Sequence, residues 1–163
     1  MRLLVFAASL CLLTSMANAS SLNDVQKKML AYWLDKNLQF RLATETECNC
    51  GDDIRQMREV GPWGKPVPDF TPYVLTGDFR RNGQSDFAVV VTTQEGRGAL
   101  VIFDGPFRGT ATKKPAYVGA LSAIKNMALF RSQQNGWPIF GRFESEGCLY
   151  RPRGRTYIRE CDF

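Results

Sequence analysis

The spacing of apolar positions changes character along the chain, and each change predicts a different element. Residues 3–13 form an almost unbroken apolar run. After it, Leu22, Val25, Met29, Tyr32 and Trp33 recur at helical intervals, while Lys27, Lys28, Asp35 and Lys36 fill the opposite face. That pattern predicts an amphipathic helix over residues 22–37, opened by a capping-box-like Ser21 and Asp24. A shorter helix is expected over 54–59, with Ile54 and Met57 turned inward and Asp52 or Asp53 as its cap. Residues 61–72 hold four prolines and two glycines around Trp63, which reads as a loop.

Beyond this loop the pattern becomes that of strands. Runs at 73–79, 87–93, 99–103, 127–132, 139–144, 148–151 and 156–161 are short, rich in branched and aromatic residues, and separated by Gly, Pro or Asn. Residues 116–126 fit either a strand or a short helix. A sheet with one apolar face must be covered, and the N-terminal helix is the available cover. The expected fold class is α+β, an N-terminal amphipathic helix packed on a mostly antiparallel β-sheet.

The N-terminal run changes the reading of compartment. Arg2, the apolar stretch and the small-x-small end Ala17-Asn18-Ala19 match an export signal cleaved after Ala19. The run is shorter than the ~20 residues that span a bilayer. Cys11 follows Leu10, where a lipoprotein processing site needs a small residue. The expected organisation is a signal peptide at 1–19 and a single α+β domain at 20–163, periplasmic or secreted, with no transmembrane segment in the mature form. The formal net charge of +5 drops by one when Arg2 leaves, too small and too dispersed a balance to point to nucleic acid.

Four cysteines remain in that domain: Cys48, Cys50, Cys148 and Cys161. In an oxidising compartment they predict two disulfides, with three possible connectivities. Because a Cys48–Cys50 bridge closes a very small ring, each of that pair is expected to tie down one C-terminal cysteine. The rival use of Cys-x-Cys as half of a thiolate metal cage is disfavoured by export and by the absence of histidine.

Between two predicted strands lies Thr76-Gly77-Asp78-Phe79-Arg80-Arg81-Asn82-Gly83-Gln84-Ser85-Asp86, followed by the apolar run 87–91. This segment resembles the calcium-loop hairpin of FG-GAP and VCBS proteins, as found singly in secreted bacterial proteins. The resemblance implies Ca²⁺ ligands at Asp78, Asn82 and Asp86, with Gly83 making the turn, because Ca²⁺ takes six to eight oxygens that alternate positions of a tight loop can supply. Arg80 stands where the family pattern has a further Asp. An arginine brings no oxygen and repels a divalent ion, and from there it could reach Asp78 or Asp86 as a salt bridge in place of the metal. One copy of the motif is present, so no propeller is expected.

The absence of histidine removes Ser-His and Cys-His nucleophile pairs. Carboxylate pairs remain, Asp52 with Asp53 and Glu144 with Glu146, although neighbouring acids usually serve as caps and solvated edges. A more specific cluster is Tyr150-Arg151-Pro152-Arg153-Gly154-Arg155-Thr156-Tyr157, which places Arg151, Arg153 and Arg155 on an expected hairpin tip beside Tyr157, with Arg159 beyond. Arginine offers a planar fork for carboxylate or phosphate, and tyrosine adds contact area. Further exposed loops carry Trp63 and Phe107. Together these features read as an exported, non-catalytic binding or structural domain, with an envelope protein or anionic envelope polymer as partner. The alternatives are an inhibitor of an envelope enzyme and a carboxylate-dependent envelope hydrolase.

Overall fold

Asn23 caps the first helix of the computed structural model: its side chain accepts from the Gln26 backbone N–H at 2.9 Å, and Gln26 Oε1 accepts from Asn23 N at 3.0 Å. The structure describes residues 22–108, 113–143 and 147–161, so the expected signal segment and Ser21 lie outside it. Helix α1 spans Asp24–Lys36, inside the expected range. The capping box is displaced from the Ser21–Asp24 expectation because Asn23 with Gln26 satisfies the same orphan N–H groups. Gln26 is itself buried, and its amide donates to Ser85 Oγ at 3.2 Å, which ties α1 to the loop before β3.

Strand β1 (Arg41–Leu42) and helix α2 (Glu45–Cys48) follow, neither legible as a periodic run. Helix α3 spans Gly51–Glu59 with Cys50 at its N-cap position; Asp52 and Asp53 lie in its first turn and are not its cap. After a 3₁₀ turn at Pro62–Gly64 come the strands. These are β2 (Val74–Gly77), β3 (Asp86–Thr92), β4 (Gly98–Phe103), β5 (Tyr117–Leu121), β6 (Met127–Arg131), β7 (Pro138–Arg142), β8 (Gly147–Arg153) and β9 (Thr156–Cys161). The ambiguous segment is thus the strand β5.

All described pairings are antiparallel, and the strands divide into two sheets where the pattern suggested one. The first has the order β1-β3-β4-β5, with β2 also on β3; the second runs β6-β7-β8-β9. Antiparallel strands therefore dominate and helices are few.

Every residue of β3 and β4 is buried. One face of the pair, with Phe87, Val89, Val91, Ala99, Val101 and Phe103, meets Met29, Leu30 and Trp33 of α1. The other face, with Ala88, Val90, Leu100 and Ile102, meets Phe140, Tyr150 and Tyr157 of the second sheet. Two-sided burial explains why β3 and β4 read as continuous apolar runs without polar alternation. Each Val, Leu, Ile or Phe side chain among them stabilises the fold by roughly 1.5–3 kcal/mol.

The sheet edges meet at two seams. On one side Leu129 N donates to Pro72 O at 2.7 Å, just before β2. On the other, Thr156 Oγ1 donates to Ala116 O at 2.9 Å and Arg159 Nη1 to Ala120 O at 3.4 Å. Side chains of β9 thus cover backbone of β5 that would otherwise invite another strand.

The disulfides form within each half of the chain, Cys48–Cys50 and Cys148–Cys161, which overturns the expected cross-pairing. Asn49, left-handed at φ 55°, reverses the chain between α2 and α3 and turns the first two sulfurs toward each other. Cys148 and Cys161 are register partners on β8 and β9, with Cα atoms 4.1 Å apart.

Candidate functional site: a braced arginine hairpin

Strand β2 ends at Gly77, and the loop that follows is held by its own carboxylates. Asp78 accepts from Asn82 N at 3.0 Å and Gly83 N at 2.8 Å, one bond to each oxygen. Asn82 Oδ1 accepts from Gln84 N at 3.0 Å. Arg81 at φ 54° and Gly83 at φ 77° make the left-handed turns that aim these N–H groups inward. Asp86, fully buried at the start of β3, accepts from Phe79 N at 2.8 Å and Gly105 N at 2.7 Å. Burial pushes its carboxyl above the usual carboxylate range, against the opposing pull of those backbone donors.

The three expected Ca²⁺ ligands are all engaged within the chain. Both oxygens of Asp78, both of Asp86 and the amide oxygen of Asn82 already accept backbone N–H bonds, so the loop satisfies itself.

Arg80 turns away from both Asp78 and Asp86, the partners expected for it. Its Nε donates to the Asp104 carboxylate, Nη1 to Gly154 O at 2.7 Å and Nη2 to Thr156 O at 3.2 Å. The guanidinium lies over the Tyr157 ring, 4.8 Å from its centroid, and Tyr157 Oη donates to the other Asp104 oxygen at 2.6 Å. The Arg80 and Asp104 side chains are only 16% and 14% exposed. Each of the three guanidinium nitrogens thus donates to the β8–β9 turn or to Asp104. Arg81 works outward, donating to Asn135 O at 3.0 Å and Gln134 O at 2.7 Å in the turn between β6 and β7.

Gly154, at φ 59°, is the first residue of the two-residue turn between Arg153 and Thr156, where the backbone needs positive φ. Arg153 and Arg155 stand exposed there, and among the described residues no acid pairs with either. Arg151 instead donates twice to Glu160 Oε1, at 2.8 and 2.6 Å. Tyr157, expected as contact area on the tip, is a core residue at 3% exposure, because strand alternation turns it with Tyr150 toward the first sheet. Burial raises both phenols, Tyr150 to about 12.

The other expected sites disperse. Asp52 and Asp53 are exposed, and Asp52 pairs with Arg55 at 2.8 Å. Glu144 and Glu146 lie outside the described residues, as does the Trp63 side chain. Phe107 folds back onto Phe87, ring centroids 5.3 Å apart, and the Lys113 ammonium lies 5.6 Å from the Phe107 centroid. Asp104 was missed from sequence, since nothing marks a partnership across 24 residues. No helix among the described residues is long and apolar enough to cross a membrane. No protein-family model, curated protein or solved structure matches this chain.

Proposed function

We propose that this chain is an exported, non-catalytic binding domain of α+β build, with α1 as the cover of its first sheet and the β8–β9 turn as its contact element for an anionic partner. The supporting observation is the pair Arg153 and Arg155, exposed and, among the described residues, without an acid partner, on a turn whose Gly154 and Thr156 carbonyls are gripped by Arg80. A turn held in one shape loses little entropy on binding, so two forked cations there can be spent on recognition. The calcium-like loop acts in this reading as a metal-free brace, its cation supplied by Arg80. The two disulfides are compatible with export.

Retention of the full oxidised chain on immobilised poly-L-glutamate tests the reading. It should weaken steeply with salt and be lost in an Arg153→Ala/Arg155→Ala variant with unchanged thermal unfolding. Equal retention of the variant would refute the assignment. The Cys148–Cys161 bond across the base of the same hairpin favours, as a second reading, a stiff arm that inhibits an envelope enzyme.

A further inference from the structure

On the face of the second sheet turned away from the first, Ala128 and Phe130 at the β6 end pack into the core with Phe70 and Phe143, whereas the strip from Ile139 toward β9 enters neither core. Register places Ile139 opposite Leu149, Leu149 opposite Glu160, Ile158 opposite Arg151, and Thr156 opposite Arg153. These side chains therefore share the outer face, while Phe140, Tyr150 and Tyr157 point into the core. Ile139, Leu149 and Ile158 are half-buried and belong to neither hydrophobic cluster. The acid among these residues, Glu160, is already matched by Arg151. The neighbouring Arg153 and Arg155 leave the face cationic.

We propose that this outer face, from Ile139 to the Arg153–Arg155 turn, docks a protein that sets aliphatic side chains on Ile139, Leu149 and Ile158 and carboxylates beside the two arginines. The inference rests on the reading of the turn as an anion-binding element and sharpens it from any polyanion to a protein surface. A polyanion would use the arginines alone; aliphatic side chains interleaved with arginine are the composition of a protein interface. Charge decides against a second copy of this chain, because a twofold contact through the face brings the same unmatched arginines together.

Two short fluorescent peptides of equal charge test it on the full oxidised chain, one alternating isoleucine with glutamate and one with threonine in place of isoleucine. The isoleucine peptide should bind about tenfold more tightly, the effect of burying one or two extra aliphatic groups. It should shift the amide resonances of Ile139, Leu149 and Ile158. A Leu149→Ser/Ile158→Thr variant should erase the difference while keeping the weaker binding, and Arg153→Ala/Arg155→Ala should lose both. Equal binding of the two peptides to the wild type overturns the docking face and leaves the anion-binding turn standing. Binding of neither overturns both, and amide shifts confined to other strands overturn the docking face whatever the variants do.

Discussion

The guanidinium of Arg80 lies against the Tyr157 ring, 4.8 Å from its centroid, and both residues grip the same carboxylate, that of Asp104. This joins the loop after β2, the end of β4 and the β8–β9 turn across both sheets. Removing one partner of a largely buried ion pair leaves the other uncompensated, so Arg80→Ala should cost about 3–5 kcal/mol. Tyr157→Phe keeps the ring and loses one hydrogen bond to a charged group, about 1.5–3 kcal/mol. Urea unfolding of both variants checks the ranking; an Arg80→Ala midpoint equal to wild type would show that the brace carries no stability.

The two disulfides should differ in worth. Chain-entropy arithmetic assigns about 3 kcal/mol to a loop the size of that closed by Cys148–Cys161, and roughly half that to the very small Cys48–Cys50 ring. Replacing each pair by alanine should therefore lower the unfolding midpoint more for the C-terminal pair. The reverse order would mean that the buried Cys48–Cys50 unit stabilises through its packing against β6, where Cys48 Sγ approaches Met127 O at 3.4 Å.

Acid stability should report on Glu47. The Arg41 guanidinium, donating at 2.8 and 3.0 Å, together with the Thr44 backbone, holds its carboxyl at about 2 against an ordinary 4.5. As pH falls below 4.5 the unfolded chain takes up this proton first. The stabilisation is thus complete above 4.5 and lost progressively toward pH 2. Glu47→Gln should flatten the fall in melting temperature across that window. Asp86 acts with the opposite sign: its raised carboxyl makes the folded state bind the proton more tightly, so its contribution declines as pH rises from 3.8. An acid limb identical in wild type and Glu47→Gln would remove Glu47 from the account.

Calcium should leave the protein unmoved. An ion at a hundredfold excess over its dissociation constant adds about 2.7 kcal/mol, a readily measured rise in melting temperature. Scans of the oxidised chain in excess Ca²⁺ and in chelator should coincide. Asp78→Ala should lower both equally, by about 0.5–1.5 kcal/mol, since two exposed backbone N–H groups exchange its carboxylate for water. A rise specific to Ca²⁺ would return Asp78, Asn82 and Asp86 to the role of ligands.

Local chemistry made most of the elements legible. Helical spacing marked α1, and branched and aromatic runs bounded by Gly, Pro and Asn marked seven of the strands to within a few residues. The Asp78 loop was recognisable because a tight turn needs side-chain acceptors and a left-handed glycine at set positions. Elements too short to show a period, such as β1 and α2, were not.

Partnership across the chain was decided by tertiary structure alone. Residues 87–91 announce burial in sequence, yet burial between a helix and a second sheet depends on where β6–β9 fold back. Arg80 could be seen to disturb a calcium loop, but its choice of Asp104 over Asp78 and Asp86 follows from β4 ending beside it and from those two acids already serving backbone N–H groups. The same holds for the cysteines, whose pairing is set by the turn at Asn49 and the register of β8 with β9, and for Tyr157, which strand alternation sends inward while leaving Arg153 outside. Sequence carries the preferences of neighbours a few residues apart; contacts between distant residues arise when burying both faces of β3 and β4 brings the remaining strands together.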